Sequence, residues 1–297
     1  MSPKVTVIMR SKNSAWVIGQ ALTGLYSQHR QDFELLLVDS GSTDATLDIA
    51  RRFPCRVLQI AATQYFPGAV LNMAIQQAQS ELLVFQNSDV VPLTPHALDQ
   101  LLAPLEAGQA EASFARQLPR PEAHTWVRRD YAKAFPAQGT PPSWMAYSLP
   151  FAAMRRTAWE RHPFYEDAWG SEDTEWGHWA RQNGIAARYV PEALVMHSHN
   201  YTLRQLYGRR FIEGEADAFI LQDKASFPLF LRRLGNSWGR DAQAHLAAGD
   251  LAGLLLSLPR RWVYHWAYRK GHLLGERRKA TGSRDASIGQ RVVLERS

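Results

Sequence analysis

Three features of the sequence predict an α/β protein built on a mostly parallel sheet. Strand-length apolar runs alternate with amphipathic helical runs from Val5 to Gln117, the pattern of successive βαβ units. The run Val38-Asp39-Ser40-Gly41-Ser42-Thr43-Asp44-Ala45-Thr46 carries a strand through a glycine turn into a helix by way of N-cap residues. A hydrophobic content of 45% over 297 residues is enough for a substantial core.

The elements follow in order. Val5 to Met9 is an apolar strand and Trp16 to Tyr26 an amphipathic helix. Leu35 to Val38 is a strand, Leu47 to Phe53 a helix and Arg56 to Ile60 a strand. Gly68 to Gln79 is a helix, Leu82 to Phe85 a strand, Pro95 to Leu105 a helix and Ala112 to Gln117 a strand. Leu118 to Tyr147 is rich in Pro, Arg and aromatic residues and reads as loops around one helix, Trp126 to Phe135. Pro150 to Met154 is a further strand. Ser171 to Asn183 is a helix whose first residues, Ser-Glu-Asp, place acids where the helix dipole favours them. Ile185 to Val190 and Ala193 to His197 read as two strands. From Thr202 the pattern is helical up to a polar tail, Lys279 to Ser297. The expected division is an α/β domain over residues 1–224 and a helical C-terminal extension over 225–297.

Right-handed crossovers place the loops after parallel strands along one sheet edge, where open α/β sheets bind ligands. Lys12-Asn13, Asp39 and Asn87-Ser88-Asp89 all fall in such loops. Asp39 is an acceptor-only side chain suited to nucleobase N–H groups or ribose hydroxyls. Arg10, Lys12 and Asn13 end the first strand and could face a nucleotide or its phosphates, or be solvated loop residues. Asp89 could hold a divalent cation against a diphosphate, although Asn-Ser-Asp is also an ordinary turn sequence. Glu172 and Asp173 open a helix, as a positioned base or as plain helix-capping acids. His197 and His199, at i and i+2, could approach one metal ion or be inert.

These motifs, in this order, resemble family 2 glycosyltransferases. The Asp39 turn resembles the D-D/S-G-S-x-D-x-T nucleotide-sugar signature. Asn87-Ser88-Asp89 stands where the family carries D-x-D, with Asn87 departing from the first position. The run from Phe164 to Trp176 resembles F-D-E-x-x-x-x-x-E-D-x-x-W, and Phe66 to Asn72 resembles F-x-x-G-x-A-x-N. Gln117-Leu118-Pro119-Arg120-Pro121 resembles a segment of bacterial rhamnosyltransferase-like members.

The resemblance implies a GT-A fold and an inverting, metal-dependent transfer of a sugar, such as the deoxyhexose rhamnose. The donor would be a nucleoside diphosphate sugar carrying UDP, dTDP or GDP, and the acceptor a hydroxyl of a cell-surface glycan or lipid-linked molecule. Asp173 becomes the base, with Glu172 as second choice. Asp89 becomes the Mn²⁺ or Mg²⁺ ligand, joined by His197 or His199. Arg10, Lys12, Asn13, Asp39, Gly68, Asn72 and Ser88 become donor contacts.

Lys and Arg outnumber Asp and Glu by 34 to 28, giving a formal charge of +6 and a pI near 9.5. Nucleic acid, an anionic substrate and an anionic membrane surface all suit that excess. No nucleic-acid-binding motif is present, and the basic residues are spread along the chain. Cys55, the single cysteine, reads as a core residue, excludes an intramolecular disulfide and is compatible with a reducing cytoplasm. The start of the chain lacks the apolar stretch of a secretory signal, and no run is long enough to span a bilayer. The expectation is a cytoplasmic protein working at the inner face of the membrane. The aromatic and basic C-terminal helices fit a membrane contact, a packed helical pair or a homodimer interface. A nucleotide-sugar or glycan binding protein without catalysis, favoured by Asn87, is the competing reading.

Overall fold

The computed structural model describes residues 4–221 and 224–294. They form two compact units, one comprising the chain to Tyr165 with Glu172–His199, the other Glu166–Ser171 with the chain from Asn200. The first unit contains β1 (Val5–Ser11), α1 (Ile18–Tyr26), β2 (Phe33–Asp39), α2 (Thr46–Ala50), β3 (Arg56–Gln59), α3 (Pro67–Gln77), β4 (Leu82–Asn87), β5 (Val91–Pro92) and α4 (Ala97–Glu106). It continues with β6 (Ala112–Leu118), α5 (Thr125–Ala134), β7 (Phe151–Arg155), α6 (Arg156–Arg161), α7 (Glu172–Gln182) and β8 (Ala187–Met196).

The eight strands form one sheet in the order β3-β2-β1-β4-β7-β6-β8-β5. Strands β1 to β4 are parallel, as are β6 and β8, while β7 runs against both β4 and β6. All the parallel strands therefore end at one edge, and the segment before β7 arrives at that same edge. The period of two along a strand divides the core. Val5, Val7, Met9, Leu35 and Leu37 face one apolar cluster, and Ile8, Leu36 and Val38 face the other.

Several elements differ from the sequence reading. The two strands expected between Ile185 and His197 are one, β8, whose register against β6 jumps from Ala115/Val190 to Arg116/Leu194. Pro191 lies in the jump, where it has no N–H to give to the ladder. Strand β5 has two residues and α6 six, too few to show a period.

The second unit contains α8 (Leu203–Ile220), α9 (Phe227–Ala247), α10 (Leu251–Thr281) and α11 (Ser287–Leu294). The division expected after residue 224 therefore differs from that between the units, because α8 groups with the C-terminal helices. The cause is backbone contact: a Cβ at Gly214, Gly271 or Gly275 would collide with the backbone of Tyr268, Phe211 or Glu215. The expected polar tail is also partly helical. Helix α10 runs on to Thr281, ends on Gly282 at φ 67°, and α11 follows. Caps start these helices: Thr202 Oγ1 accepts from Gln205 N, Ser226 Oγ from Leu229 N and Asp250 Oδ1 from Gly253 N.

Buried charges in this unit are paired. Arg278 Nη1 donates to Glu215 Oε1 at 2.6 Å, and Arg261 grips Asp241 through Nε at 2.6 Å and Nη2 at 3.1 Å. Tyr268 donates its hydroxyl to Asp217 Oδ2 at 2.9 Å. Burial pushes the Asp217 carboxyl from 3.8 up to about 6, against the opposing pull of the Tyr268 hydroxyl and Arg210. The folded protein thus holds the Asp217 proton more tightly than the unfolded chain does, so this contribution to stability is lost as pH rises from 3.8 through about 6. Replacing Asp217 with Asn keeps an acceptor for Tyr268 and removes that cost. In urea unfolding the variant should match the parent at pH 4 and exceed it at pH 7.5 by on the order of 2 kcal/mol.

Candidate active site

The loops after β1 and β2 are held by their own polar groups. Asp39 is fully buried. Its Oδ1 accepts from Gly41 N at 3.1 Å and Ser42 N at 2.8 Å, and its Oδ2 accepts from the hydroxyls of Ser11, at 3.1 Å, and Ser42. A carboxylate offers about four acceptor positions, and four donors take them. Asp39 thereby shapes its own loop, with Gly41 at φ 80°. Asn13, at φ 47°, joins the two loops. Its N–H donates to Ser42 Oγ and its Oδ1 accepts from Thr43 N, both at 2.8 Å. Lys12 is exposed on the same loop. Asp44 accepts from Thr46 N at 3.0 Å and Ala15 N at 3.1 Å, and belongs to the helix entry.

Asp89 follows β4, and His197 and His199 follow β8. Asp89 Oδ2 lies 3.6 Å from His197 Nε2 and 3.2 Å from His199 Nε2. One ligand atom from each residue lies within 4.8 Å of the other two. Behind His197, Gln117 Oε1 lies 2.8 Å from Nδ1, and Gln117 Nε2 donates to Ser148 Oγ at 2.9 Å. With its NH₂ committed to Ser148, Gln117 presents an acceptor to the ring. Nδ1 then carries the proton, leaving the Nε2 lone pair toward Asp89. One carboxylate oxygen and two imidazole nitrogens, one backed by an amide on its second nitrogen, fit a divalent cation. Asp89, His197 and His199 supply three donors without drawing on position 87, where Asn87 departs from the family pattern.

Ser88 braces the loop after β1, its Oγ 2.8 Å from Ser14 Oγ. Two residues of the 117–121 motif have roles that the sequence reading did not assign. Gln117 orients His197. Arg120 donates from Nη2 to the Asp89 carbonyl at 2.6 Å and lies over the exposed Trp16 ring at 4.9 Å. The motif itself was the available signal.

Glu172 and Asp173 open α7 with divided roles. Glu172 is buried and accepts from Arg10 Nη1 at 2.7 Å, forming an ion pair. Burial opposes charge on Arg10, but Tyr65, Glu172 and Asp173 outweigh it and raise its pKa. Asp173 Oδ2 accepts from Leu149 N at 3.2 Å and its Oδ1 from Thr174 N at 2.8 Å. Ser148 and Leu149, adjacent in the chain, thus touch the two halves of the site: Ser148 through Gln117 to His197, Leu149 directly to Asp173.

Asn72 is spent on structure. Its Oδ1 accepts from Trp159 Nε1 at 2.8 Å and Phe164 N at 3.0 Å, and its Nδ2 donates to the Phe164 carbonyl at 2.8 Å. Gly68 is buried in the first turn of α3 behind Pro67, at the sheet edge to which topology brings that helix N-terminus.

Residues 6–164 match the family described as Glycosyl transferase family 2. The O-antigen chain rhamnosyltransferase WbaN of Salmonella anatum is 28% identical over 229 residues, covering 71% of each chain. RfbN of Salmonella typhimurium, also an O-antigen chain rhamnosyltransferase, is 26% identical over 226 residues with the same coverage. Among solved structures, the mannosyltransferase PcManGT of Pyrobaculum calidifontis, in complex with GDP-Man and Mn²⁺, superposes with a TM-score of 0.62. It is 20% identical and is matched over 93% of this chain and 87% of its own. TarS of Staphylococcus aureus with UDP-GlcNAc gives 0.53 at 16% identity, over 94% and 92%. These likenesses establish the GT-A fold. With the family match spanning more than half of its length, the chain belongs to glycosyl transferase family 2 and is a glycosyltransferase.

Proposed function

We propose that this glycosyltransferase moves a sugar, with rhamnose the leading candidate, from a nucleoside diphosphate to a hydroxyl of a cell-surface glycan or lipid-linked acceptor, with inversion at the anomeric carbon. The names of the two Salmonella relatives support the sugar and the acceptor class. The observation carrying the mechanism is the Ser148–Leu149 segment, which ties the Asp173 carboxylate and the Asp89–His197–His199 cluster to one short stretch of backbone.

Asp173 takes the proton of the acceptor hydroxyl as that oxygen bonds to the anomeric carbon. The bond from the anomeric carbon to the diphosphate oxygen breaks, and its electron pair leaves with the nucleoside diphosphate. Inversion follows because acceptor and leaving group occupy opposite faces of the sugar. Glu172, held by Arg10, fixes the start of α7 and leaves Asp173 as the carboxylate available to the acceptor. Asp89, His197 and His199 would hold a divalent cation, which offsets the charge developing on the departing diphosphate. Two imidazoles beside one carboxylate favour Mn²⁺ over Mg²⁺. The loop shaped by Asp39 and joined to Asn13 receives the nucleoside, and Lys12 is the exposed cation beside it.

Replacing Asp173 with Asn should lower transfer about 10²–10⁴-fold. Donor affinity, measured calorimetrically with UDP, dTDP and GDP sugars, should stay within about threefold, since the base acts on the acceptor. Transfer at the parental rate would remove Asp173 from the role of base. Replacing Gln117 with Leu should weaken Mn²⁺ binding in titration calorimetry about 10–100-fold by releasing the His197 ring. Unchanged Mn²⁺ affinity in a folded variant would refute the cation site.

A further inference from the structure

The chain's cations divide evenly, 17 Lys and Arg in residues 1–199 and 17 in residues 200–297, but its acids divide 19 to 9. The positive charge therefore comes from the helical C-terminal part. It is sharpest in the α9–α10 hairpin, where the acids between Lys224 and Gly275 are Asp241 and Asp250. Asp241 is buried against Arg261, and Asp250 is occupied by His245 Nδ1 at 2.9 Å and Gly253 N at 2.8 Å. Arg232, Arg240 and Lys270 are exposed on the same hairpin.

Large apolar side chains are exposed on the same hairpin. Leu251, Leu255, Leu258 and Trp262 follow an i, i+4, i+7, i+11 spacing, which sets them along one side of α10. Leu251 is 67% and Leu255 76% exposed. Leu256, on the same helix, and Leu246, at the end of α9, are exposed too. Soluble surfaces seldom leave such a patch uncovered. Trp266 adds an indole with Arg269 at 5.6 Å and Lys270 at 5.8 Å from its ring. Among the described residues no helix is long and apolar enough to cross a membrane, so an apolar face of this kind can lie on a bilayer but not span it.

We propose that the α9–α10 hairpin is a docking surface for an anionic lipid bilayer. Leucines enter the acyl boundary, the tryptophans sit at headgroup level, and the arginines and lysines meet lipid phosphates. A second copy of the chain would set this cationic hairpin against its own charge. A nucleic acid would leave the leucines in water. This inference does not depend on the identity of the donor, the metal or the base.

The full chain should co-sediment with phosphatidylcholine vesicles carrying ~30% phosphatidylglycerol, and added salt should release it. It should not co-sediment with vesicles of phosphatidylcholine alone. Arg240→Gln and Lys270→Gln should each weaken binding about 5-fold, and the double change Leu255→Glu with Leu258→Glu at least ~10-fold. These exposed substitutions should leave transfer to a soluble acceptor and the circular dichroism spectrum unchanged. Equal binding to neutral vesicles, no binding to anionic ones, or variants that bind as the parent does would overturn the proposal. So would a lipid-free dimer in sedimentation velocity that the leucine double change dissociates, which would assign the face to a second copy.

Discussion

The site depends on the register of β1 against its two parallel neighbours. Ser11 stands level with Asp39 on one side and Arg10 level with Asn87 on the other. That alignment lets the Ser11 hydroxyl reach Asp39 and puts the Ser14 hydroxyl against Ser88. A slip of one residue would send every side chain of β1 to the opposite face, exchanging Ile8 for Val7 and Met9 between the two apolar clusters. Burial on both faces makes that exchange costly, so the core fixes the loops and the loops fix the chemistry.

The carboxylates at this edge are separated by what already occupies them. Asp39 is saturated by its own loop and Glu172 is neutralised by Arg10, whereas Asp173 takes backbone donors at the start of a helix and Asp89 faces two imidazoles. Glu172 and Asp173, adjacent in the chain, would repel one another if both were bare. Asp39 and Glu172 are thus given internal partners, while Asp173 and Asp89 carry the proposed roles of base and cation ligand. Removing a partner from a buried ion pair such as Arg10–Glu172 costs about 3–5 kcal/mol, since the remaining charge is stranded.

Topology made much of this readable from sequence. The placement of Asp89, His197 and His199 after strands and of Asp173 at a helix start was legible because strand ends and helix starts are visible as changes of period, while their proposed roles came from the family resemblance. What was not readable depends on contacts between residues far apart in the chain. Arg10 and Glu172 are 162 residues apart, and Asn72 closes on Trp159 and Phe164 at separations of 87 and 92. Neither pairing leaves a trace in local spacing, so these partners of Arg10 and Asn72 could not be read from the sequence. The self-saturation of Asp39 is local, yet it appears only once the turn geometry is known. The grouping of α8 with the last helices rests on three glycines whose purpose shows only when the two backbones meet.

Helix α10 has a mechanical consequence. Its C-terminal half is clamped to α8 through Gly271 and Gly275, while its first turns carry the exposed leucines. Between them stands Pro259. Lacking an N–H, it leaves the Leu255 carbonyl without its helical donor and weakens the rod at that point. The helix is therefore held at its root by close backbone contact with α8, and the proline break in its hydrogen-bond ladder falls just after the turns that carry Leu251, Leu255 and Leu258.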